Sequence, residues 1–135
     1  MKQIVTLLTA LLLTPLTALG GSIVLMNEPA TGGPGKFAAE EIRRAATAKG
    51  MTLGEDAHAT RITLAVETEG KAAAESYRIR VRNDGGRRII TVRGTDTSGA
   101  MYGGLDIAEA IRLGTLDAMK DSDHTPHIAQ RAARH

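Results

Sequence analysis

Between residues 77 and 93, apolar and charged side chains take turns along the chain. Tyr77, Ile79 and Val81 alternate with Arg78, Arg80 and Arg82, the period-two pattern of a strand with one buried face. Asn83-Asp84-Gly85-Gly86 comes next. These residue types tolerate positive φ, so the spacing predicts a hairpin. The returning strand covers 88–94, with Ile90 and Val92 toward the core and Thr91 and Arg93 on the other side. Earlier, 22–26 is a continuous apolar run bounded by Gly21 and by Asn27-Glu28-Pro29, which suits a strand buried on both faces. In 61–66, Ile62, Leu64 and Val66 share one side of a further strand.

Two stretches change to helical period. In 36–49, Ala38, Ile42 and Ala45 recur at i, i+4 and i+7, with Phe37 beside them, so one narrow face is apolar. Glu40 and Glu41 stand early and Arg43, Arg44 and Lys49 late, as the helix dipole favours. Gly50 is the expected stop. A second helix begins at Asp96, Thr97 or Ser98, each able to cap free N–H groups, and runs to Leu113 before Gly114. Met101, Leu105, Ala108 and Ile111 form its buried stripe, with Asp106 and Glu109 off it. Gly103 and Gly104 each cost about 1 kcal/mol of helix propensity, which close approach to a sheet would offset. The strand–helix–strand order over 22–66 implies a right-handed parallel crossover. The expected fold is α+β: a mostly antiparallel sheet with one β-α-β crossover and two helices packed on one face. Residues 30–35 read as a glycine-rich turn, 51–60 as a polar connector and 67–71 as a charged loop.

The first residues have a different character. Lys2 precedes an almost wholly apolar run over 4–13, and Pro15 ends it. Ala18 and Gly20 are small residues placed for a signal peptidase cut before Gly21. The run is shorter than the ~20 residues a membrane span needs. A signal peptide over 1–20 therefore implies a periplasmic or secreted protein with no stable membrane span after cleavage. With no cysteine there is no disulfide framework, thiolate site or lipid anchor. The 17 Lys+Arg against 15 Asp+Glu leave a net charge of only +2. Two tyrosines and one phenylalanine are too few for a base-stacking platform, and too few to line a sugar-binding groove by themselves, so a nucleic-acid partner is not expected. After Gly114 the apolar period fades, and 115–135 reads as a flexible tail beyond a folded domain at 21–114.

Few residues invite a chemical reading, and each has a plainer one. The 30–35 loop lacks the Gly-Lys-Ser/Thr ending of a P-loop and the spacing of a dinucleotide fingerprint. His124 and His127, with Asp121 and Asp123 nearby, lack a helical zinc motif and a third ligand group, and read as a solvated linker. Arg78, Arg80, Arg82 and Arg93 could form a basic face for polyanions, or simply keep an exposed sheet soluble. Ser98 has no histidine at a motif spacing and reads as a cap. Asp96 and Glu75 could be an acid pair. The sequence assigns no catalytic, cofactor-binding or metal-binding residue.

Glu75-Ser76-Tyr77, followed by Gly94-x-Asp96-x-x-Gly99-x-x-Tyr102-Gly103 at the entry to a helix, resembles the non-catalytic N-terminal domain of certain secreted glycoside hydrolases. That domain precedes the barrel in family 20 β-N-acetylhexosaminidases and in α-glucuronidases. Asn27-Glu28-Pro29, the glycine-rich loop and the helix beginning at Phe37 are similar to its opening, and the likeness covers about residues 22–114. The resemblance implies an accessory domain beside a catalytic (β/α)8 barrel, through which carbohydrate would be engaged. The family's acid/base carboxylates belong to that barrel, so none is carried over. Residues 125–131 resemble the lead-in to the first barrel strand, and the expectation is a fragment whose parent is an enzyme while the chain itself has no catalytic site. The alternative is a small secreted binding module that uses the arginine-rich sheet face.

Overall fold

The computed structural model describes residues 21–67 and 73–126. The expected signal peptide at 1–20 and the chain from His127 onward lie outside the described residues. In chain order the elements are β1 (Ser22–Asn27), a 3-10 turn (Pro29–Thr31), α1 (Gly32–Ala48), β2 (Thr52–Leu53), β3 (Thr60–Val66), β4 (Tyr77–Asp84), β5 (Arg87–Gly94), α2 (Thr97–Leu113), a second 3-10 turn (Leu116–Ala118) and β6 (Ser122–His124). The six strands form one sheet in the order β2-β1-β3-β5-β4-β6.

The class is α+β, but the sheet is mixed rather than mostly antiparallel. β1 pairs in parallel with β2 and β3, and β3 with β5; β4 runs antiparallel to β5 and β6. The reason is the position of β5. The hairpin's second strand returns inside the first, next to β3. Its neighbouring residues Ile89 and Ile90 are both buried, which suits a strand with neighbours on both edges. β4, with arginine at every second position, stays nearer the edge. The hairpin turn is Gly85-Gly86, both at positive φ (59° and 82°), which is what a two-residue turn between twisted strands demands.

Both helices lie on one side of the sheet. Ile23, Ile62, Leu64, Ile79, Ile90 and Val92 meet Ala38, Ile42, Ala45, Ile107, Ala108 and Ile111 in a single aliphatic core. The stripe of α1 falls where the apolar period places it. That of α2 is shifted by one residue: Ala100, Gly103, Gly104, Ile107, Ala108 and Ile111 are buried while Met101 and Leu105 are only partly so. The glycines decide this. A Cβ on Gly104 would stand 2.7 Å from the Cβ of Ala38, and one on Gly103 would stand 2.3 Å from Val92 Cγ1. α2 therefore packs through its smallest side chains against α1 and the sheet.

Two connectors differ from expectation. Residues 30–31 close the first 3-10 turn and 32–35 start α1: Gly35 is buried, and a Cβ there would lie 1.9 Å from Thr31 Oγ1. Pro34 is tolerated because a helix's first turn has no intrahelical use for its N–H groups. The segment after Gly114 is not a tail over its first part. Arg88 Nη2 donates to the Met119 carbonyl at 2.6 Å, Asp121 Oδ1 accepts from the Val81 N–H at 2.8 Å, and Arg80 Nη1 donates to the Ser122 carbonyl at 3.2 Å. β6 is attached by polar bonds, so hydrophobic period carried no trace of it.

Candidate functional site

The residues that carry the family resemblance converge at the junction of β4, β5 and the start of α2. Asp96 is the N-cap of α2. Its Oδ1 accepts from the Gly99 N–H at 2.8 Å and its Oδ2 from the Glu75 N–H at 2.9 Å. Glu75 has φ 62°, a left-handed conformation uncommon for a residue with a Cβ. Asp96 and Glu75 do come together, but through a backbone amide and not as two carboxylates. Thr95 completes the clip: its N–H donates to the Ser76 carbonyl at 2.9 Å, and its Oγ1 accepts from the Ser76 N–H at 3.2 Å. The glycines allow this closeness. A Cβ on Gly94 would lie 2.1 Å from Ala100 N, and one on Gly99 would lie 2.1 Å from the Ser76 carbonyl oxygen. Ser98 sits in the first turn of α2, where Asp96 has already taken the capping role.

A second constellation lies along the same strand. The Tyr77 hydroxyl donates to Asp106 Oδ2 of α2. The phenol ring stacks on the imidazole of His124 in β6, with centroids 4.6 Å apart and planes 11° from parallel. His124 Nε2 lies 2.9 Å from Ser122 Oγ. Asp106, which the apolar period places off the buried stripe, is thus engaged across to the sheet. Sequence reading missed this link because the two partners are separated by the whole of β5; only the arrangement of strand and helix brings them together. A groove of about 460 Å³ opens beside it, lined by Ile79, Asp106, Glu109, Leu113, Asp121 and His124 among others. Two of its carboxylates are committed, Asp106 to Tyr77 and Asp121 to the Val81 amide. His127 lies outside the described residues. Among the described residues no three His, Asp or Glu side chains are grouped as a metal site would require.

Burial first, then the hydrogen bond to Asp106 and its charge, push the Tyr77 phenol well above its ordinary value. A phenol is neutral when protonated, so a raised folded-state value stabilises the fold fully below pH ~10, and that contribution disappears as pH climbs above it. Tyr77→Phe keeps the ring and its stacking while removing the hydroxyl. We expect the substitution to cost about 1 kcal/mol at neutral pH, and to flatten the alkaline fall in stability that the parent shows above pH ~10. Urea denaturation of both proteins across that range measures it; coincident curves would show that the phenol bond contributes nothing.

The arginines occupy the other face of the sheet. Arg80 pairs with Asp123 at 2.8 Å and Arg78 approaches Glu67 at 4.0 Å, while Arg82 and Arg93 are exposed.

Neither a family model nor a curated protein sequence matches the chain. Solved structures do. A GH138 enzyme targeting pectin rhamnogalacturonan II superposes with a TM-score of 0.61 at 20% identity, over 78% of this chain and 15% of that one. BtGH115A, a GH115 4-O-methyl-α-glucuronidase with specificity for decorated arabinogalactans, gives 0.49 at 16% identity over 68% and 14% of the two chains. CpGH84D gives 0.48 at 11% identity over 69% and 18%. The chain therefore spans only a small part of the length of each. What it shares with the GH138 enzyme is the fold of that one small part.

Proposed function

We propose that this chain is a non-catalytic accessory domain of a secreted glycoside hydrolase, of the kind that precedes the barrel in family 20 β-N-acetylhexosaminidases and in α-glucuronidases. The observation that carries the reading is the use to which the motif residues are put. Glu75 through its N–H, Tyr77 through its hydroxyl, Asp96 through both carboxylate oxygens, and Gly94, Gly99 and Gly103 through close approach all serve to join two strands to a helix. The fold's recurrence as a small part of a pectin-targeting glycoside hydrolase supports the same reading.

The partner in this reading is a catalytic (β/α)8 barrel seated on the outer side of the helices. The core is aliphatic, yet the chain's one phenylalanine, Phe37, is 53% exposed on α1, and Tyr102 of α2 is 37% exposed. Aromatic side chains are enriched at protein–protein interfaces, which makes these two the candidates for that contact. Export, with cleavage before Gly21, belongs to the same proposal.

Purified exported protein should begin at Gly21 on N-terminal sequencing. It should turn over neither chromogenic N-acetylhexosaminides nor oligosaccharides bearing glucuronic acid. Light scattering should show concentration-dependent self-association that Phe37→Asp with Tyr102→Asp abolishes. Turnover that survives removal of contaminating enzymes would overturn the accessory reading. A strict monomer, unchanged by the two substitutions, would remove the interface from the helices.

A further inference from the structure

The helices cover one face of the sheet, and the register puts Arg61, Arg78, Arg80, Arg82, Arg87 and Arg93 on the other. Two of them, Arg78 and Arg93, stand directly opposite each other on β4 and β5, a placement of like charges that destabilises a bare sheet. Between the arginine rows lie Thr63, Ala65, Ile89 and Thr91. Ala65 and Ile89 are buried at 2% and 7% exposure on a face that carries no helix, as happens when long arginine stems lie along a sheet.

The carboxylates on this face do not neutralise it. Glu55 is shared by Arg87 at 2.7 Å and Arg61 at 3.7 Å, Asp123 takes Arg80, and Glu67 is at the limit of reach from Arg78. Arg82 and Arg93 have no carboxylate within ion-pairing distance among the described residues. Exposed pairs of this sort contribute at most about 1 kcal/mol each, so an incoming anion can replace them.

The geometry points to this face as a binding surface for an acidic polysaccharide, a polyuronate carrying one carboxylate per sugar. Alternate residues of a strand stand about 6.8 Å apart, so Arg78, Arg80 and Arg82 form a row roughly 13 Å long. Their planar guanidinium forks match a carboxylate with two parallel hydrogen bonds. Thr63 and Thr91, partly exposed between the rows, offer hydroxyls of a kind that pair with sugar hydroxyls. A polymer of moderate charge density suits a face where Glu67, Asp84 and Asp123 interrupt the arginines; a densely phosphorylated or sulfated one would meet those acids as repulsion. Nucleic acid is disfavoured further because the register puts no aromatic side chain on this face to stack a base. This surface is independent of the helical one assigned to a barrel, so either reading can fail alone.

Native gel electrophoresis of the full chain through gels containing polygalacturonate tests it. The methyl-esterified polymer, with the same backbone but no charge, serves as one control and single-stranded DNA as another. Polygalacturonate should retard the protein at low salt and lose its hold as ionic strength passes about 0.15 M. The esterified polymer should not retard it. Arg82→Glu with Arg93→Glu should weaken retention about tenfold, since two exposed ion pairs are lost and two repulsions are created, while the corresponding lysine pair keeps most of it. Equal retardation by the esterified polymer, stronger retardation by DNA, or lysine and glutamate variants that behave alike would each overturn the assignment.

Discussion

Replacing Gly99 by alanine should destabilise the domain by about 3 kcal/mol or more, near the upper end of what one added methyl group does. The added Cβ would lie 2.1 Å from the Ser76 carbonyl oxygen and 3.0 Å from the Ser76 carbonyl carbon. Both atoms are backbone and cannot turn aside as a side chain can. Relief requires α2 to lift from the start of β4, which stretches the bond that Asp96 accepts from the Glu75 N–H. Gly94→Ala should behave alike, with its Cβ 2.1 Å from Ala100 N and 2.6 Å from the Asp96 carbonyl oxygen. Gly33 is the internal control. It lies in the first turn of α1 with nothing beyond its chain neighbours within 4 Å of an added Cβ and no positive φ, so Gly33→Ala should cost no more than about 1 kcal/mol, the strain of a helical residue with a Cβ placed before Pro34. Urea midpoints of the three variants decide the matter. A Gly99→Ala protein within ~1 kcal/mol of the parent would mean that α2 does not sit this close to Ser76.

Those glycines also show what the sequence could and could not disclose. Gly103 and Gly104 in a helical run were legible as a close approach, because their propensity cost needs an offset; which neighbours they approach was not. The alternation at Tyr77, Ile79 and Val81 announced β4 and its buried side, and Gly85-Gly86 announced the turn. Neither said that β5 would lie inside β4, next to β3. The adjacent isoleucines at 89 and 90 were the available clue, since side chains one apart on a strand face opposite ways and both are apolar. Parallel pairing of β3 with β5 joins residues nearly thirty positions apart, and no local pattern records it.

The candidate site was legible in a similar, partial way. Asp96 was visible as one of three possible caps, while its second oxygen, bound to the Glu75 amide, depends on a left-handed turn at Glu75 that no neighbouring glycine predicted. Tyr77, Asp106 and His124 come from a strand, a helix and a distant edge strand. Nothing in their individual surroundings marks them as a set. The arginine face was the reverse case: the alternation displayed it openly, and the structure adds only which arginines have partners.

Asp96→Ala should cost about 3 kcal/mol, the second large effect expected. Each carboxylate oxygen has a separate task, so alanine removes two interactions at once. Loss of a helix cap typically costs about 1 kcal/mol. The bond from the Glu75 N–H is charge-assisted and half-buried, and such bonds contribute about 1.5–3 kcal/mol. Without it the Glu75 turn, already at φ 62°, has nothing else in the described residues to which its N–H is bonded. Asp96→Asn separates the two tasks, because an amide has one acceptor oxygen and presents N–H groups at the other position. Asparagine is a good cap, so the retained oxygen should serve Gly99 while the Glu75 bond is lost, giving roughly half to two-thirds of the alanine effect. Hydrogen exchange resolves the halves: the Gly99 amide should stay protected in the asparagine variant and exchange in the alanine variant, with the Glu75 amide exchanging in both. If instead Asp96→Asn matched the parent in stability and protection, the charge and the second oxygen would be idle, and the junction of β4, β5 and α2 would be held by the glycine contacts alone.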